Sequence, residues 1–136
     1  MVVKTKKTIK NNQLSSKNLF SIEGKIILIS GSGKGIGRHL AQSMAQNSAI
    51  VYCIDKNFPQ KIPKNIEKQM FHMRCDITNK KSFQTVCKKI FLKHEKIDVL
   101  INNAGITIPT SKNKLFYEKE DWEKTILTNL SASFFL

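Results

Sequence analysis

The sequence predicts an α/β domain built on a doubly wound parallel sheet. Three observations support this prediction. Short apolar runs rich in β-branched residues recur along the chain, stretches with helical spacing of apolar residues separate them, and the first run enters a helix through a loop with four glycines in seven residues. Continuous apolar runs are typical of parallel strands covered on both faces, and alternation of strands with helices favours such a sheet.

Composition places the chain among ordinary folded domains. Its 136 residues suit one domain, and 40% hydrophobic with 24% charged residues is close to the globular average. The net charge of +13 raises the possibility of a nucleic-acid partner, but only Arg38 and Arg74 accompany the many lysines. Because arginine is the preferred residue for forked contacts with bases and phosphates, we expect a solvated basic surface and no nucleic-acid site.

The cysteines and the hydropathy pattern favour a cytoplasmic protein. Cys53, Cys75 and Cys87 are odd in number and form no C-x-x-C pair, which argues against a disulfide framework. No apolar run reaches the roughly 18 residues needed to span a membrane. We therefore expect no membrane partner, and no metal site, since the histidines share no ligand spacing with each other or with the cysteines.

The chain begins with a predicted flexible basic arm at residues 1–18, which contain lysines, no acidic residue and little apolar periodicity. The predicted domain covers residues 19–136. Its first strand is Ile26–Ile29, and a helix follows the glycine loop. The apolar face expected for that helix consists of Ile36, Leu40, Ala41, Met44 and Ala45, and Asn47 is expected to end it in the left-handed conformation.

The second predicted strand, Ile50–Ile54, ends at Asp55, and residues 56–68 read as a loop because they contain two prolines and no period. A third, more mixed strand consists of Met70 and His72 with the flanking Gln69, Phe71 and Met73, and it ends at Cys75 and Asp76. Thr78 or Asn79 can cap the next helix. The apolar stripe of this helix is Phe83, Val86, Cys87, Ile90 and Phe91.

Val99–Ile101 is the fourth predicted strand, and a loop follows to about Tyr117. The last predicted helix presents one face at a spacing of four residues, formed by Trp122, Ile126, Leu130 and Phe134. The Trp122 and Phe134–Phe135 aromatics are expected in the core. Strands and helices thus alternate, except around the proline-containing loop.

The glycine loop between a strand and a helix predicts an anion site. The first N–H groups of a helix lack intrahelical acceptors, and the helix dipole is positive at this end. Side chains on the loop would hold a phosphate away from these groups. Gly31, Gly35 and Gly37 form G-x-x-x-G-x-G, which is neither the G-x-G-x-x-G dinucleotide fingerprint nor the phosphate loop G-x-x-x-x-G-K-[ST]. A mobile glycine turn without a ligand is the alternative interpretation.

Asp55 makes a dinucleotide the favoured ligand. It lies 18 residues beyond Gly37 at the end of the next strand, where its carboxylate would accept hydrogen bonds from the adenosine ribose. A 2′-phosphate there would meet a like charge, which favours NAD over NADP. Lys34, inside the loop, would offset part of this repulsion. The alternative for Asp55 is a solvated carboxylate at a strand end.

These residues resemble the short-chain dehydrogenase/reductase family. The match consists of SGSGKGIG at residues 30–37, CDI at residues 75–77, DVLINNAG at residues 98–105 and TNL at residues 128–130. The match extends from about Leu19 to Leu136. Within the family, the chain resembles members similar to 3-oxoacyl-ACP reductases. The resemblance implies a Rossmann-like sheet of about four strands in the order 3-2-1-4, C-terminally truncated.

The resemblance also implies roles for individual residues. The backbone and side chains of Ser32, Lys34 and Ile36 would hold the pyrophosphate and the nicotinamide side, within the cofactor-binding loop whose glycines are Gly31, Gly35 and Gly37. Asp76 would accept from the adenine amino group, with Ile77 beside it. Asn103, Ala104 and Gly105 would line the ribose side, and Asn129 corresponds to the catalytic asparagine of the family.

The family pattern is incomplete in this sequence. Ser30 replaces the usual threonine but keeps its hydroxyl. The serine, tyrosine and lysine of the family lie beyond the asparagine, and no residue after Asn129 matches them. Tyr52 and Lys56 spell Y-x-x-x-K, but on a strand this spacing separates the two residues by roughly 13 Å, against about 6 Å on a helix.

The implied function is therefore that of the cofactor half of an NAD(P)-dependent oxidoreductase, expected to be a fragment with little turnover alone. A full-length relative would interconvert an alcohol and a ketone, as in acyl-carrier-type ketoreductases or sugar dehydrogenases, and would be a homo-oligomer. Two alternatives stay open. The chain could be a non-catalytic nucleotide-binding module, or a nucleic-acid-binding protein that uses its basic surface.

Overall fold

A computed structural model describes residues 19–108 and 118–136. The predicted arm at residues 1–18 and most of the predicted loop that ends near Tyr117 lie outside these ranges. The strands are β1 (Ile26–Ser30), β2 (Ile50–Asp55), β3 (Met70–Arg74) and β4 (Val99–Ile101). The helices are α1 (Gly35–Gln46), α2 (Lys80–His94), α3 (Lys119–Ile126) and α4 (Ser133–Phe135), with a π-helical segment at Leu127–Ala132 between the last two and a 3₁₀ turn at Lys64–Ile66.

The four strands form one parallel sheet in the order β3-β2-β1-β4, so the predicted fold class and strand order are confirmed. β1 is the most buried strand, since its whole IILIS sequence is enclosed. Two apolar clusters cover the two faces of the sheet. One contains Leu28, Ile54 and Phe83, and the other contains Ile29, Ala41 and Val51. Both faces are thus covered, which explains why β1 and β2 read as continuous apolar runs.

Helix α1 packs differently from the prediction. Its buried residues are Gly37, Arg38, Ala41 and Ala45, whereas Ile36 is 76% exposed. Small side chains let the helix approach the sheet closely, so Ile36 and Leu40 of the predicted stripe face outward, whereas Ala41 and Ala45 are buried as predicted and Met44 packs against the core. The helix ends at Gln46, and the left-handed conformation expected of Asn47 is adopted by Ser48, whose φ is 65°.

Helix α2 begins as predicted, with the side chain of Asn79 accepting a hydrogen bond from the Ser82 N–H at 3.0 Å. Phe83, Val86 and Ile90 are buried, but Phe91 is 59% exposed, so the predicted stripe was one residue too wide. Among the described residues, no helix is long and apolar enough to cross a membrane.

The C-terminal helix does not bury the face that the spacing of four residues predicted. Trp122, Leu130 and Phe134 are exposed, and so is Phe135, while Ala132 is buried. The π-helical segment at Leu127–Ala132 changes which of the later residues face the sheet, because its turn is wider, but Trp122 lies before this segment and is exposed in regular α-helix. The aromatic residues of this helix therefore do not contribute to the core of the described chain.

Candidate cofactor site

A cleft of about 650 Å³ lies at the carboxyl ends of the strands. Most of the residues predicted to bind a cofactor line it: Gly31, Lys34, Gly35, Ile36, Gly37, Asp55, Ile77, Asn103, Ala104 and Gly105. Lys56, Ile106, Thr107 and Thr128 line it as well. Ligands of open parallel α/β sheets bind outside the carboxyl ends of the strands. The cleft is thus where this fold places a ligand.

The glycines of the loop serve two different purposes. A Cβ on Gly31 would lie 2.5 Å from the Cα of Ala104, one on Gly33 would overlap Asn57 O, and one on Gly37 would overlap the side chain of Asn103. These glycines permit close packing of the protein against itself. Gly35 differs, because its φ is +57° and a Cβ there would meet nothing within 4 Å. Among the loop glycines, only Gly35 has open space where a side chain would project, and Gly35 also lines the cleft.

The start of α1 supplies unpaired donors beside this open space. The first bond that ties the helix to the loop runs from the Arg38 N–H to Lys34 O at 3.4 Å. The preceding N–H groups, of Gly35, Ile36 and Gly37, belong to the first turn, which has no intrahelical acceptors. The helix dipole adds partial positive charge at the same place. This end of the cleft therefore suits an anion.

The hydroxyl of Ser30 links two segments of the cleft wall. Ser30 is fully buried, and its Oγ accepts from the N–H groups of Asn103 and Ala104, both at 3.1 Å. In return, Asn103 Nδ2 donates to Ser30 O at 3.0 Å and to Gly31 O at 2.9 Å. The side-chain amide of Asn103 thus holds the glycine loop in place.

Ser32 does not reach the cleft with its side chain. It is fully buried, and its hydroxyl donates to Ile29 O at 2.8 Å. Its backbone N–H donates to Ile54 O at 3.3 Å. The role of Ser32 at a pyrophosphate stays a prediction, and in this structure its hydroxyl and its N–H both donate to backbone carbonyls of β1 and β2.

Asp55 lies at the end of β2, where the sequence predicted it. Its Oδ2 accepts from the Gly33 N–H at 2.9 Å, and its Oδ1 accepts from the Asn57 N–H at 3.3 Å. A carboxylate offers about four acceptor positions, so two are left. The carboxylate both fixes the glycine loop and keeps acceptors for a ligand.

Asp76 lies beside the cleft, between Cys75 and Ile77, which line it. Its Oδ1 accepts from the Thr78 hydroxyl at 2.7 Å and from the Thr78 N–H at 3.0 Å, and its Oδ2 pairs with Lys56 Nζ at 2.9 Å. Burial raises the pKa of Asp76, but the bonds from Thr78 and Lys56 outweigh burial and hold it below its usual value. The carboxylate is therefore charged and already well supplied with donors.

Asn129 is in the middle of the π-helical segment, and its side chain hydrogen-bonds to the loop that follows β4. Its Oδ1 accepts from the Ile106 N–H at 2.8 Å, and its Nδ2 donates to Ile106 O at 2.9 Å. Segments of π-helix frequently mark functional sites. Here the wide turn presents Asn129 to the backbone next to Gly105, so Asn129 positions the floor of the cleft.

Sequence reasoning missed two charged residues near the cleft. Lys56 enters the sequence pattern only through a false Y-x-x-x-K match, yet it lines the cleft and pairs with Asp76. The expectation of a solvated basic surface does not hold for Arg38, which precedes Ala41 and Ala45 by three and seven residues and therefore lies on the buried face of α1. Tyr52, expected in the core or at the cleft wall, is buried and hydrogen-bonds His94 Nε2 at 2.8 Å.

The comparisons with known proteins agree with this geometry. A family profile described as short chain dehydrogenase matches residues 25–136. The chain is 35% identical over 117 residues to the 3-oxoacyl-[acyl-carrier-protein] reductase FabG of Escherichia coli (strain K12), covering 84% of this chain and 47% of that protein. The chain therefore belongs to the short-chain dehydrogenase family.

Solved structures support the same assignment. A 3-ketoacyl-(acyl-carrier-protein) reductase from Brucella melitensis complexed with NADH superposes with a TM-score of 0.74 at 27% identity, over 85% of this chain and 48% of that one. ElxO with NADP bound gives a TM-score of 0.73 at 29% identity, over 82% of this chain and 47% of that one. The chain thus spans about half the length of the relatives that it matches.

Proposed function

We propose that the cleft binds NAD and that the whole protein transfers hydride between the nicotinamide and an alcohol or ketone substrate. The observation that carries this proposal is the placement of two complementary groups in one cleft. The open face of Gly35 and the first turn of α1 offer donors to a diphosphate, and Asp55 offers acceptors to a ribose diol. The relatives whose solved structures hold NADH or NADP support this choice of ligand.

The residues fit such a cofactor at each part of the cleft. Gly35 needs its positive φ and leaves space where any side chain would project. Ile77 is almost fully buried and gives an apolar wall for an adenine ring beside Asp76. Asn103 and Ala104 fix the backbone that would face the second ribose. When bound, the nicotinamide supplies the hydride chemistry.

Asp55 is the reason to propose NAD rather than NADP. A 2′-phosphate beside this carboxylate would meet a repulsion of about 4 kcal/mol for two unit charges at 4 Å and an effective dielectric constant of 20, before screening by salt. NADP is the second candidate because Lys34 and Lys56 line the same cleft. The charge of Lys56 is already paired with Asp76, so Lys34 is the more available cation.

These 136 residues supply the cofactor cleft but only part of the side chains that the proposed hydride transfer needs. Asn129 has both side-chain groups on the Ile106 backbone, so it holds the cleft floor and moves no proton through its side chain in this arrangement. The serine, tyrosine and lysine of the family are not among the residues after Asn129. We infer that the 136-residue chain binds the cofactor without turnover. A non-catalytic nucleotide-binding role predicts the same result for this chain.

Two further proposals concern the oligomeric state and the cellular location of the whole protein. The exposed Trp122, Leu130 and Phe134 on the C-terminal helix support a homo-oligomer of the whole protein, and light scattering of the Phe134→Glu variant tests it. The free thiols Cys53 and Cys75 suit a reducing cytoplasm, and localisation of a tagged protein tests that proposal.

The cofactor proposal is tested by titrating the chain into NADH and following nicotinamide fluorescence. Asp55→Ala should weaken binding by about tenfold or more, because a charge-assisted hydrogen bond is lost. Gly35→Trp should abolish binding, since its side chain would fill the cleft. Gly24→Trp is the matched control, because Gly24 has a φ of +69° and open surroundings but lies before β1. Equal NADH affinity in all variants would reject the proposal.

A further inference from the structure

Arg38 is a buried cation with an unusual set of partners. It is 5% exposed, and its guanidinium donates from Nη2 to Lys61 O at 2.8 Å and from Nη1 to Gln60 O at 3.5 Å. Within residues 19–108 and 118–136, no carboxylate forms an ion pair with it. Burial of a charge is costly unless hydrogen bonds compensate for it. The carbonyls of residues 60 and 61 are therefore essential to this arrangement.

These carbonyls belong to the segment that follows Asp55, residues 56–61, which we call the strap. The strap is held at three points. The Asn57 N–H donates to Asp55 Oδ1 at 3.3 Å, the Phe58 ring stacks on His72 with 4.0 Å between ring centroids, and Arg38 holds its far end. Asn57 O also lies against Gly33, so the strap forms one side of the glycine loop.

Among the described residues, the hydrogen bonds of the Arg38 guanidinium go to the strap carbonyls. His72 is buried enough that burial, and then the Arg38 charge, lower its pKa, so the imidazole is neutral beside the guanidinium. Burial raises the pKa of Cys53 to about 11, against the opposing effects of Ser32 and Arg38. Its thiol is therefore protonated at neutral pH. Neither neighbour supplies an anion that could replace the strap carbonyls.

We propose that Arg38 is a positioning residue that holds the strap against α1 and thereby fixes the wall of the cleft where Asp55 would receive the adenosine ribose. This inference rests on the proposed cofactor function. Arginine suits the position because its planar fork donates to two carbonyls at once, whereas a lysine ammonium is a point donor without that geometry. Lysine at residue 38 should therefore preserve the charge and only part of the positioning.

The first test measures whether the strap is held. Trypsin cleaves after Lys56 and Lys61, so the cleavage rate at these bonds in the native chain reports how often the strap opens. Arg38→Met should raise this rate by about tenfold, and Arg38→Lys should raise it less. Gln60→Ala is the matched control, because Arg38 uses the backbone carbonyl and not the exposed Gln60 side chain. An unchanged rate in Arg38→Met and Arg38→Lys would overturn the proposal.

The second test measures the consequence for the nucleotide with AMP, which carries only the adenosine end. Arg38→Met should weaken AMP binding by about tenfold by calorimetry, with Arg38→Lys intermediate and Gln60→Ala unchanged. If Arg38→Met does not fold, as judged by far-UV circular dichroism, Arg38→Lys carries both tests. A freed strap with unchanged AMP affinity would overturn the inference alone. Failure of the unsubstituted chain to bind AMP and NADH would overturn the proposed function, and this inference with it.

Discussion

Gly31→Ala tests the packing of the glycine loop against the β4 loop. Gly31 has a φ of +66°, and a Cβ there would lie 2.5 Å from Ala104 Cα and 2.9 Å from Ala104 N. The left-handed conformation costs alanine about 1–2 kcal/mol, and overpacking adds about 1–3 kcal/mol. The expected loss of unfolding free energy is therefore about 2–5 kcal/mol. The overlap cannot relax easily, because Ser30 and Asn103 fasten Ala104 to the loop.

Gly24→Ala is the control for this substitution. Gly24 has a φ of +69° but nothing within 4 Å of an added Cβ, so only the conformational cost of about 1–2 kcal/mol applies. Urea denaturation of both variants and the unsubstituted chain gives the difference directly, provided that the m values agree. Equal losses in the two variants would refute the claim that Gly31 is required for close packing.

Three further predictions concern other contacts. Ser30→Ala should lower the unfolding free energy by about 1–3 kcal/mol, because the N–H groups of Asn103 and Ala104 lose a buried acceptor; a urea midpoint equal to that of the unsubstituted chain would contradict this. The hydrogen bond from the Ile26 N–H, and then that from Lys96, hold the pKa of Asp98 below its usual value, so this group stabilises the fold above its unfolded pKa and the contribution is lost as pH falls through the folded value. Thermal unfolding of Asp98→Asn should therefore give a lower Tm than the unsubstituted chain at pH 7 and a converging Tm at acid pH, and parallel Tm curves would argue against it. Asn129→Ala should free the Ile106 backbone, so its amide should exchange hydrogen faster while core amides of β1 keep their rates.

The strands could be predicted from the sequence because their burial is nearly complete. Every residue of β1 is buried. A polar side chain without a hydrogen-bond partner would therefore lower the free energy of unfolding, so this strand accepts only apolar residues or small hydrogen-bonded ones. The parallel pairing of β1 with β2 and β4 followed from the alternation of strands and helices. Strand order came with the family resemblance.

The orientation of α1 could not be predicted from apolar periodicity. The helix approaches the sheet through Gly37, Ala41 and Ala45, and close approach selects small residues rather than large ones. A pattern that weights Ile36 and Leu40 most heavily therefore points to the wrong face. The buried Arg38 adds to the difficulty, since a charged residue usually indicates the solvent side.

The C-terminal helix shows a different limit. A π-helical segment at Leu127–Ala132 changes the number of residues per turn, and no residue type announces such a turn. The regular spacing of four predicted a buried face, but Trp122 is exposed before this segment, and Leu130 and Phe134 are exposed within and after it. Asn129, identified from the resemblance, lies in this segment, but its pairing with Ile106 depends on a long-range contact.

In the cleft, residue types were predictable and their partners were not. Asp55 stands at the strand end that the spacing indicated, yet its bonds to the Gly33 and Asn57 N–H groups come from the fold of the loop. Among the loop glycines, only Gly35 has open space around the position of a side chain. A count of glycines thus located the site without revealing which of them a ligand would use.

The most direct test of the central claim is a titration of the ¹⁵N-labelled chain with NADH followed by amide chemical shifts. If the start of α1 and the end of β2 form one dinucleotide site, the largest changes should fall on the amides of Gly35, Ile36, Gly37 and Asp55, with Gly24 unchanged. Changes confined to the lysine-rich surface of α2, or none at saturating NADH, would contradict the account.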